Sequence, residues 1–374
     1  MIIPFNKPLV LGSELGFIQK SIQNRKFSKG GEFLKKSSSL LKEMIGCRKV
    51  LLTSSCTGAM EIALQILGLE NGDEVIMPAF EHCSIANALD SSRLKITWCD
   101  ITKETKNIDE SQIEKLISEK TKAIIAVHYA GIPCEVGKIS HICRKNNLFL
   151  IEDAAQSIGS KFNQKPAGSF GDLAITSFHE TKNIHCGEGG ALIINNSDFI
   201  EKAEMVYHKG TNRKAFDHNL TENWSWQSSG KHFMMSELQA AFLFGQLMEL
   251  EKIYSNRLQS WNHYHQLLSE FLPREMLPFV PENVSQNAHL FYLILDNPEQ
   301  RTQMIDYLNS KGIQTVFHYL PLHRSPFWKR KYKNINLPVT EKTADTILRL
   351  PMFYDLKNDE IKYVVENIKV FRSR

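Results

Sequence analysis

The sequence predicts an α/β fold: a mostly parallel central sheet with helices on both faces, plus a smaller C-terminal α/β domain. Three observations carry this. Apolar runs rich in Val, Ile and aromatic residues recur at 74–80, 95–100, 122–130 and 148–153 with helix-like stretches between them, and strands alternating with helices read as βαβ units. Residues 234–268 hold apolar side chains at helical spacing, the pattern of one long helix or a bent pair bridging two domains. Past about Phe271, strand-like runs return at 290–295 and 315–319, with helical stretches at 298–311 and 341–348. A large domain over 1–250 and a small one over 251–374 are expected.

Taken in order, the first element is TSSCTGAMEIALQIL at 53–67. Small hydroxylated residues and a glycine stand directly before a helical pattern, which places backbone N–H groups and hydroxyls at a helix N-terminus, a site for a phosphate dianion. A plain N-cap by Ser55 or Thr57 is the other reading. Residues 83–91 fill the connection between the first two strand-like runs, and Asp109 caps the next, 109–120, with Glu110, Glu114 and Lys120 on its polar face. The run 149–153 ends on Glu152-Asp153, and the run 174–178 ends shortly before Lys182. A glycine turn at 187–190 then leads into another apolar stretch. Ligands of such sheets bind beyond the carboxyl ends of the strands, so the residues finishing these runs are the candidates.

Composition excludes other classes. The chain has 374 residues, with 45 Lys and Arg against 41 Asp and Glu, and no basic run dominates. Neither nucleic acid nor an anionic membrane is expected as a partner. Seven scattered cysteines without C-x-x-C spacing argue against a disulfide framework and a structural zinc site, so no metal is expected and a reducing cytoplasm is. The N-terminus lacks the pattern of a signal peptide and no apolar run is long enough to span a bilayer.

Four signals then converge on one chemistry. The loop at Ser55 suits a phosphate. Asp153 is either a helix cap or the partner of a protonated ring nitrogen, because a buried carboxylate without a cation is costly. Ser177 and His179 alternate around Phe178 and so share a face. Lys182 lies just beyond that strand. A lysine near an acid and a phosphate site is the arrangement of pyridoxal phosphate enzymes.

Ser-Cys-Thr at 55–57, Asp-Glu-Val-Ile-Met-Pro at 73–78, Glu-Asp-Ala-Ala-Gln at 152–156, Ser-Phe-His-Glu-Thr-Lys-Asn at 177–183 and Gly-Glu-Gly-Gly at 187–190 resemble the sugar-nucleotide aminotransferases of the DegT/DnrJ/EryC1/StrS family. The resemblance runs almost from Pro4 to the C-terminus. Within the family, the stretches at 4–8, 128–131, 209–213 and 316–323 are most similar to members that aminate dTDP-4-keto-6-deoxyglucose in common-antigen synthesis. The resemblance implies a fold-type-I transferase, a homodimer with active sites at the subunit interface, and pyridoxal 5'-phosphate as cofactor. Carried over by position, Lys182 is the Schiff-base lysine and proton carrier, Asp153 the pyridinium partner and Gln156 a neighbour of the ring hydroxyl. Ser55, Thr57, Gly58 and Ser177 hold the phosphate.

Two departures stand out. Where the family stacks an aromatic ring on the cofactor, this chain has His82, which either stacks or is a core histidine. Where many members carry Asn-Tyr-Arg, donated to the partner's active site, this chain reads His232-Phe233-Met234. His128, Arg213, His318 and Tyr319 are candidate substrate contacts, since a sugar diphosphate needs donors and cations; His318 and Tyr319 equally fit a half-buried strand. The implied reaction takes L-glutamate as amino donor and a nucleotide-linked 4-keto-6-deoxysugar as acceptor. The galacto product is favoured over the gluco product. A C3-specific ketosugar aminotransferase and a non-catalytic cofactor-binding regulator are the alternatives. A same-fold dehydratase would carry histidine at position 182.

Overall fold

The apolar runs become strands because both of their faces are covered. The computed structural model describes residues 1–28 and 30–373. In chain order its strands are β1 (Lys49–Thr53), β2 (Glu74–Pro78), β3 (Lys95–Cys99), β4 (Thr121–Val127), β5 (Phe149–Asp153), β6 (Lys161–Phe162), β7 (Lys165–Pro166), β8 (Leu173–Ser177), β9 (Gly190–Ile194), β10 (Val284–Ser285), β11 (Phe291–Ile294) and β12 (Ile347–Leu350). Seven of them form one sheet in the order β1-β9-β8-β5-β4-β2-β3. The pairs β2–β3, β2–β4, β4–β5 and β5–β8 are parallel, and β9 runs antiparallel to both β8 and β1.

Period-two alternation sorts the side chains between the faces. Along β4, Ala123, Ile125 and Val127 join a cluster with the helices Cys56–Leu67, Cys83–Ser91 and Ile200–Tyr207. Ile124 and Ala126 join another with Ile113 and the helix Val136–Lys145. On the same side as that second cluster's face, Val50, Leu52, Ala191 and Ile193 pack against the helices Glu32–Ile45 and Glu237–Met248. Helices therefore lie on both faces of a mostly parallel sheet, as the sequence predicts.

The stretch 234–268 is a bent pair, Glu237–Met248 and Leu250–Ser269, meeting at Glu249. Ser236 and Gln239 form a capping box at its start. Beyond it, β11 and β12 pair antiparallel and share an apolar cluster with the helices Pro298–Ser310 and Asn358–Arg372. Ile3 belongs to this cluster: its N–H donates to Gly312 O at 2.8 Å, and its carbonyl accepts from Gln314 N at 3.0 Å. Among the described residues no helix is long and apolar enough to cross a membrane.

Two C-terminal expectations are corrected. Residues 315–319 do not form a strand: only Val316 makes an isolated bridge, to Arg349, and His318 and Tyr319 leave the sheet edge to line a cavity. The run 341–348 is split. A helix, Pro338–Thr346, gives way to β12 at Ile347, where pairing with β11 outweighs a helical continuation and the β-branched Ile347 suits the pleated strand.

Candidate active site

The carboxyl ends of β1, β2, β5 and β8 open on one cavity of about 600 Å³. Its wall includes Ser55, Cys56 and Thr57 after β1, Glu81 and His82 after β2, and Asp153 and Gln156 at and after β5. Ser177 and Lys182 at and after β8 complete that side. From the C-terminal part come His289, Leu290, His318, Tyr319 and Arg349.

One end of the cavity is a helix N-terminus. Ser55 is the N-cap of Cys56–Leu67, its Oγ accepting from Gly58 N at 3.0 Å. Capping uses the lone pair and leaves the hydroxyl proton free to donate, so the two readings of Ser55 are compatible. The first-turn amides have no intrahelical acceptor, and the positive end of the helix dipole favours an anion there. The close approach of β9 depends on Gly190, where an added Cβ would lie 2.4 Å from Cys56 N. Gly58 is likewise required to be small, with Phe233 Cγ 2.8 Å from where its Cβ would stand.

Deeper in, Asp153 is buried and accepts from Ala155 N at 2.9 Å. Burial pushes its carboxyl above the usual range, against the opposing pull of that amide and of Lys182. Burial also lowers the Lys182 ammonium, with Asp153 and Glu81 among the groups opposing it. Both groups move toward neutrality because desolvation outweighs their mutual attraction. A neutral amine is the nucleophilic form of lysine, and a carboxyl this poorly compensated suits a cationic ring N–H.

Gln156 is buried and spends its Oε1 on Ala130 N at 2.8 Å, which leaves its NH₂ group as the donor for a ligand. Ser177 Oγ accepts from His179 N at 3.3 Å, and His179 lines the cavity beside it as the alternation predicts. His82 lines the cavity and is not a core histidine. It caps the helix Cys83–Ser91 through Nδ1, accepting from Ser84 N at 3.3 Å. Its ring stands edge-on to Tyr319 at 5.8 Å, and burial followed by Lys182 lowers its pKa, so the ring is neutral.

His318 and Tyr319 reach the cavity with their rings stacked at 5.5 Å and 13°. Two other predicted substrate contacts do not reach it. His128 is fully buried. Its Nδ1 accepts from Cys134 N at 3.2 Å and its Nε2 faces Glu152 Oε2 at 2.9 Å, so both ring nitrogens are occupied beneath the sheet. Arg213 pairs with Asp217 at 2.7 Å and borders a separate depression with Lys209, Trp224 and His232. The segment His232-Phe233-Met234 runs along its own β1: Phe233 O accepts from Ser54 N and Met234 bridges Thr53.

Three ionisable cavity residues have no role in the sequence reading. Glu81 directly precedes His82, and the rule that strand ends carry ligands would have found it. Arg349 lies one residue past the run 341–348 and on β12, a strand the sequence pattern does not announce; it is buried, bonds Tyr129 Oη at 3.0 Å and lies over the Tyr319 ring at 4.8 Å. His289, held by Asn183 Oδ1 at 3.0 Å, has no local signal.

Comparison with known proteins gives the family and the fold. Residues 12–369 match the DegT/DnrJ/EryC1/StrS aminotransferase family. A pleiotropic regulatory protein of Geobacillus stearothermophilus is 35% identical over 91% of this chain and 90% of its own length. The dTDP-4-dehydro-2,3,6-trideoxy-D-glucose 4-aminotransferase of Saccharopolyspora spinosa is 30% identical over 86% of this chain and 84% of its own. The crystal structure of NtdA from Bacillus subtilis, with bound pyridoxamine phosphate (PMP), superposes with a TM-score of 0.89 at 29% identity. It covers 100% of this chain and 86% of that one.

Proposed function

The chain belongs to the DegT/DnrJ/EryC1/StrS aminotransferase family and is a pyridoxal-phosphate-dependent transaminase, and from that premise we propose that it moves the amino group of L-glutamate to the C4 ketone of dTDP-4-keto-6-deoxyglucose. The product would be a dTDP-4-amino-4,6-dideoxyhexose, the galacto epimer favoured, made in the cytoplasm for a surface polysaccharide. The observation that carries the reading is the convergence of Lys182, Asp153 and the Ser55–Thr57 helix start on one cavity. The name of the Saccharopolyspora relative supports amination at C4.

The residues present fit the cofactor. The first turn of Cys56–Leu67, with Ser55, Thr57, Gly58 and Ser177, would hold its phosphate; Asp153 would face the ring nitrogen, Gln156 the ring hydroxyl and His82 the ring face. Bound there, pyridoxal phosphate supplies an electron sink for the carbon that loses its proton. Lys182 would anchor the cofactor and, once released by the amino donor, carry the proton at its Nζ between cofactor and substrate. His318 and Tyr319 would border the sugar. The large domain, 1–250, would bear the cofactor and the small one, 251–374, close the cavity; a second copy of the chain would complete a homodimer.

An absorbance titration tests this. L-Glutamate should bleach the visible cofactor band, and dTDP-4-keto-6-deoxyglucose should restore it, with product NMR giving the position and epimer of the amine. Bleaching without restoration would remove the sugar assignment. An amine at C3 would move the reading to the alternative ketosugar class.

A further inference from the structure

Glu81 is a cavity residue whose chemistry the transamination reading leaves unused. It sits three residues past β2, in the turn that enters Cys83–Ser91, and is 5% exposed. Its Oε1 accepts the N–H of His82 at 2.6 Å. Its Oε2 is buried with no hydrogen-bond partner, although the side chain lines the cavity. A buried polar atom without a partner is destabilising, and such a group is sustained where a ligand completes the site.

The form of the acid follows from its surroundings. Asp153, from the end of β5, faces it as a like charge. Lys182 after β8 and Arg349 on β12 face it as cations, and Cys56, Tyr129, Tyr319 and His82 complete the ring of titratable neighbours. Burial and then Asp153 push its pKa up to about 8, beyond what the His82 amide, Lys182 and Arg349 offset. At neutral pH the side chain is a carboxylic acid. A carboxylic acid has an O–H to give, as in the known case of an aspartic acid kept neutral in an apolar site to act as a donor. An anionic acceptor drawn to it would also be set against Asp153. A neutral oxygen would not.

We propose that Glu81 is a substrate-contact residue whose Oε2–H donates a hydrogen bond to a neutral oxygen, hydroxyl or carbonyl, of the sugar substrate. It rests on the reading of the cavity as a ketosugar site and adds the group that recognises the sugar beside Lys182. A site built to bond a substrate oxygen discriminates strongly against ligands that leave its polar group unpaired. Ionisation has the same consequence, because a carboxylate cannot donate. Affinity for the sugar is therefore present below about pH 8 and lost above it.

The test is calorimetric binding of dTDP-4-keto-6-deoxyglucose to the pyridoxal-phosphate-loaded protein from about pH 6.5 to 9.5, with glutamate bleaching as a parallel check. Three of the cavity histidines, His82, His289 and His318, have pKa values lowered by burial below the usual histidine range, and His179, also on the wall, is retained in both variants. Asp153 and Lys182 are retained in both variants, so a pH dependence that they cause without Glu81 survives in Glu81→Gln. Wild type should lose about tenfold or more in affinity through one ionisation near pH 8, the loss of one hydrogen bond to a buried group. Glu81→Gln, which keeps a donor and cannot ionise, should match wild type at low pH and stay flat. Glu81→Leu should bind about tenfold more weakly throughout. A wild-type pH dependence that survives in Glu81→Gln, or Glu81→Leu binding as tightly as wild type, overturns the role of Glu81 alone. If glutamate bleaches the band but wild type binds no ketosugar at any pH, the sugar assignment falls and this proposal with it.

Discussion

Glu152 and Asp153 are neighbours on β5 with opposite surroundings. Glu152 is turned into the core, where it accepts from Gly168 N at 2.8 Å, Phe170 N at 2.6 Å and Gly171 N at 2.7 Å and meets His128 at 2.9 Å. Burial alone would raise its pKa, but these donors, His128 first, hold it below the usual carboxylate value. Asp153 is turned to the cavity, its carboxylate accepting from the backbone N–H of Ala155, and its pKa is raised. One acid is satisfied by the protein and is structural. The other is left for a ligand to satisfy, and with Lys182 and Glu81 it forms a wall of incompletely compensated groups. Strand parity alone makes the difference.

The comparison breaks most visibly on the cavity side, where loss of a group should remove activity and spare the fold. Lys182→Ala should abolish steady-state turnover and the glutamate-responsive absorbance with an unchanged melting temperature; retained turnover would remove Lys182 from its role. Asp153→Asn keeps the shape and removes the charge. It should lower kcat by about 10²–10³-fold, the scale of losing one preorganised electrostatic partner. Because burial disfavours the Asp153 carboxylate, the cofactor-free protein should be no less stable after the change. A clear drop in its melting temperature would put Asp153 in the same class as Glu152.

Glu152→Gln is the reciprocal experiment. It removes the charge that several backbone donors and His128 share and sets an NH₂ group against N–H donors, a loss of about 3 kcal/mol in denaturant stability. The sign with pH also differs. A carboxyl with a depressed pKa contributes stability above its unfolded pKa, about 4.3 for a glutamate, and loses it as pH falls through the folded value. The stability gap between wild type and Glu152→Gln should therefore narrow on acidification. A gap that widens in acid would show that Glu152 is not held as a carboxylate.

What the sequence reveals follows the same division between local and distant causes. Ser55, Thr57, Asp153, Gln156, Ser177 and Lys182 each lie at or just after the end of an apolar run, so one local rule brings them to one edge. Glu81 obeys that rule and was eclipsed by its neighbour His82. Arg349 and His289 arrive from strands and loops of the C-terminal part, and no local pattern states which edge those strands face. The register of 315–319 fails for a similar reason: its apolar and aromatic residues look like a strand, but Tyr319 finds its contacts with Phe80, His82 and Arg349 across the cavity rather than along a sheet.

His128 shows where the local rule misleads, and it gives the smallest expected effect. It directly follows the last residue of β4, much as Asp153 ends β5, and its N–H even donates to Asp153 O at 3.1 Å. Ala126 registers with Glu152 and Val127 with Asp153, so two residues past Ala126 the His128 side chain falls on the Glu152 face. His128→Gln should then leave KM for both substrates within about twofold, since a residue that never meets substrate alters neither ground-state nor transition-state binding. It should cost about 1–2 kcal/mol of stability through the Glu152 and Cys134 bonds it shares. A large rise in KM for the sugar nucleotide at unchanged stability would mean that the face assigned by parity opens to substrate. The separation between a satisfied acid and a waiting one would then no longer hold.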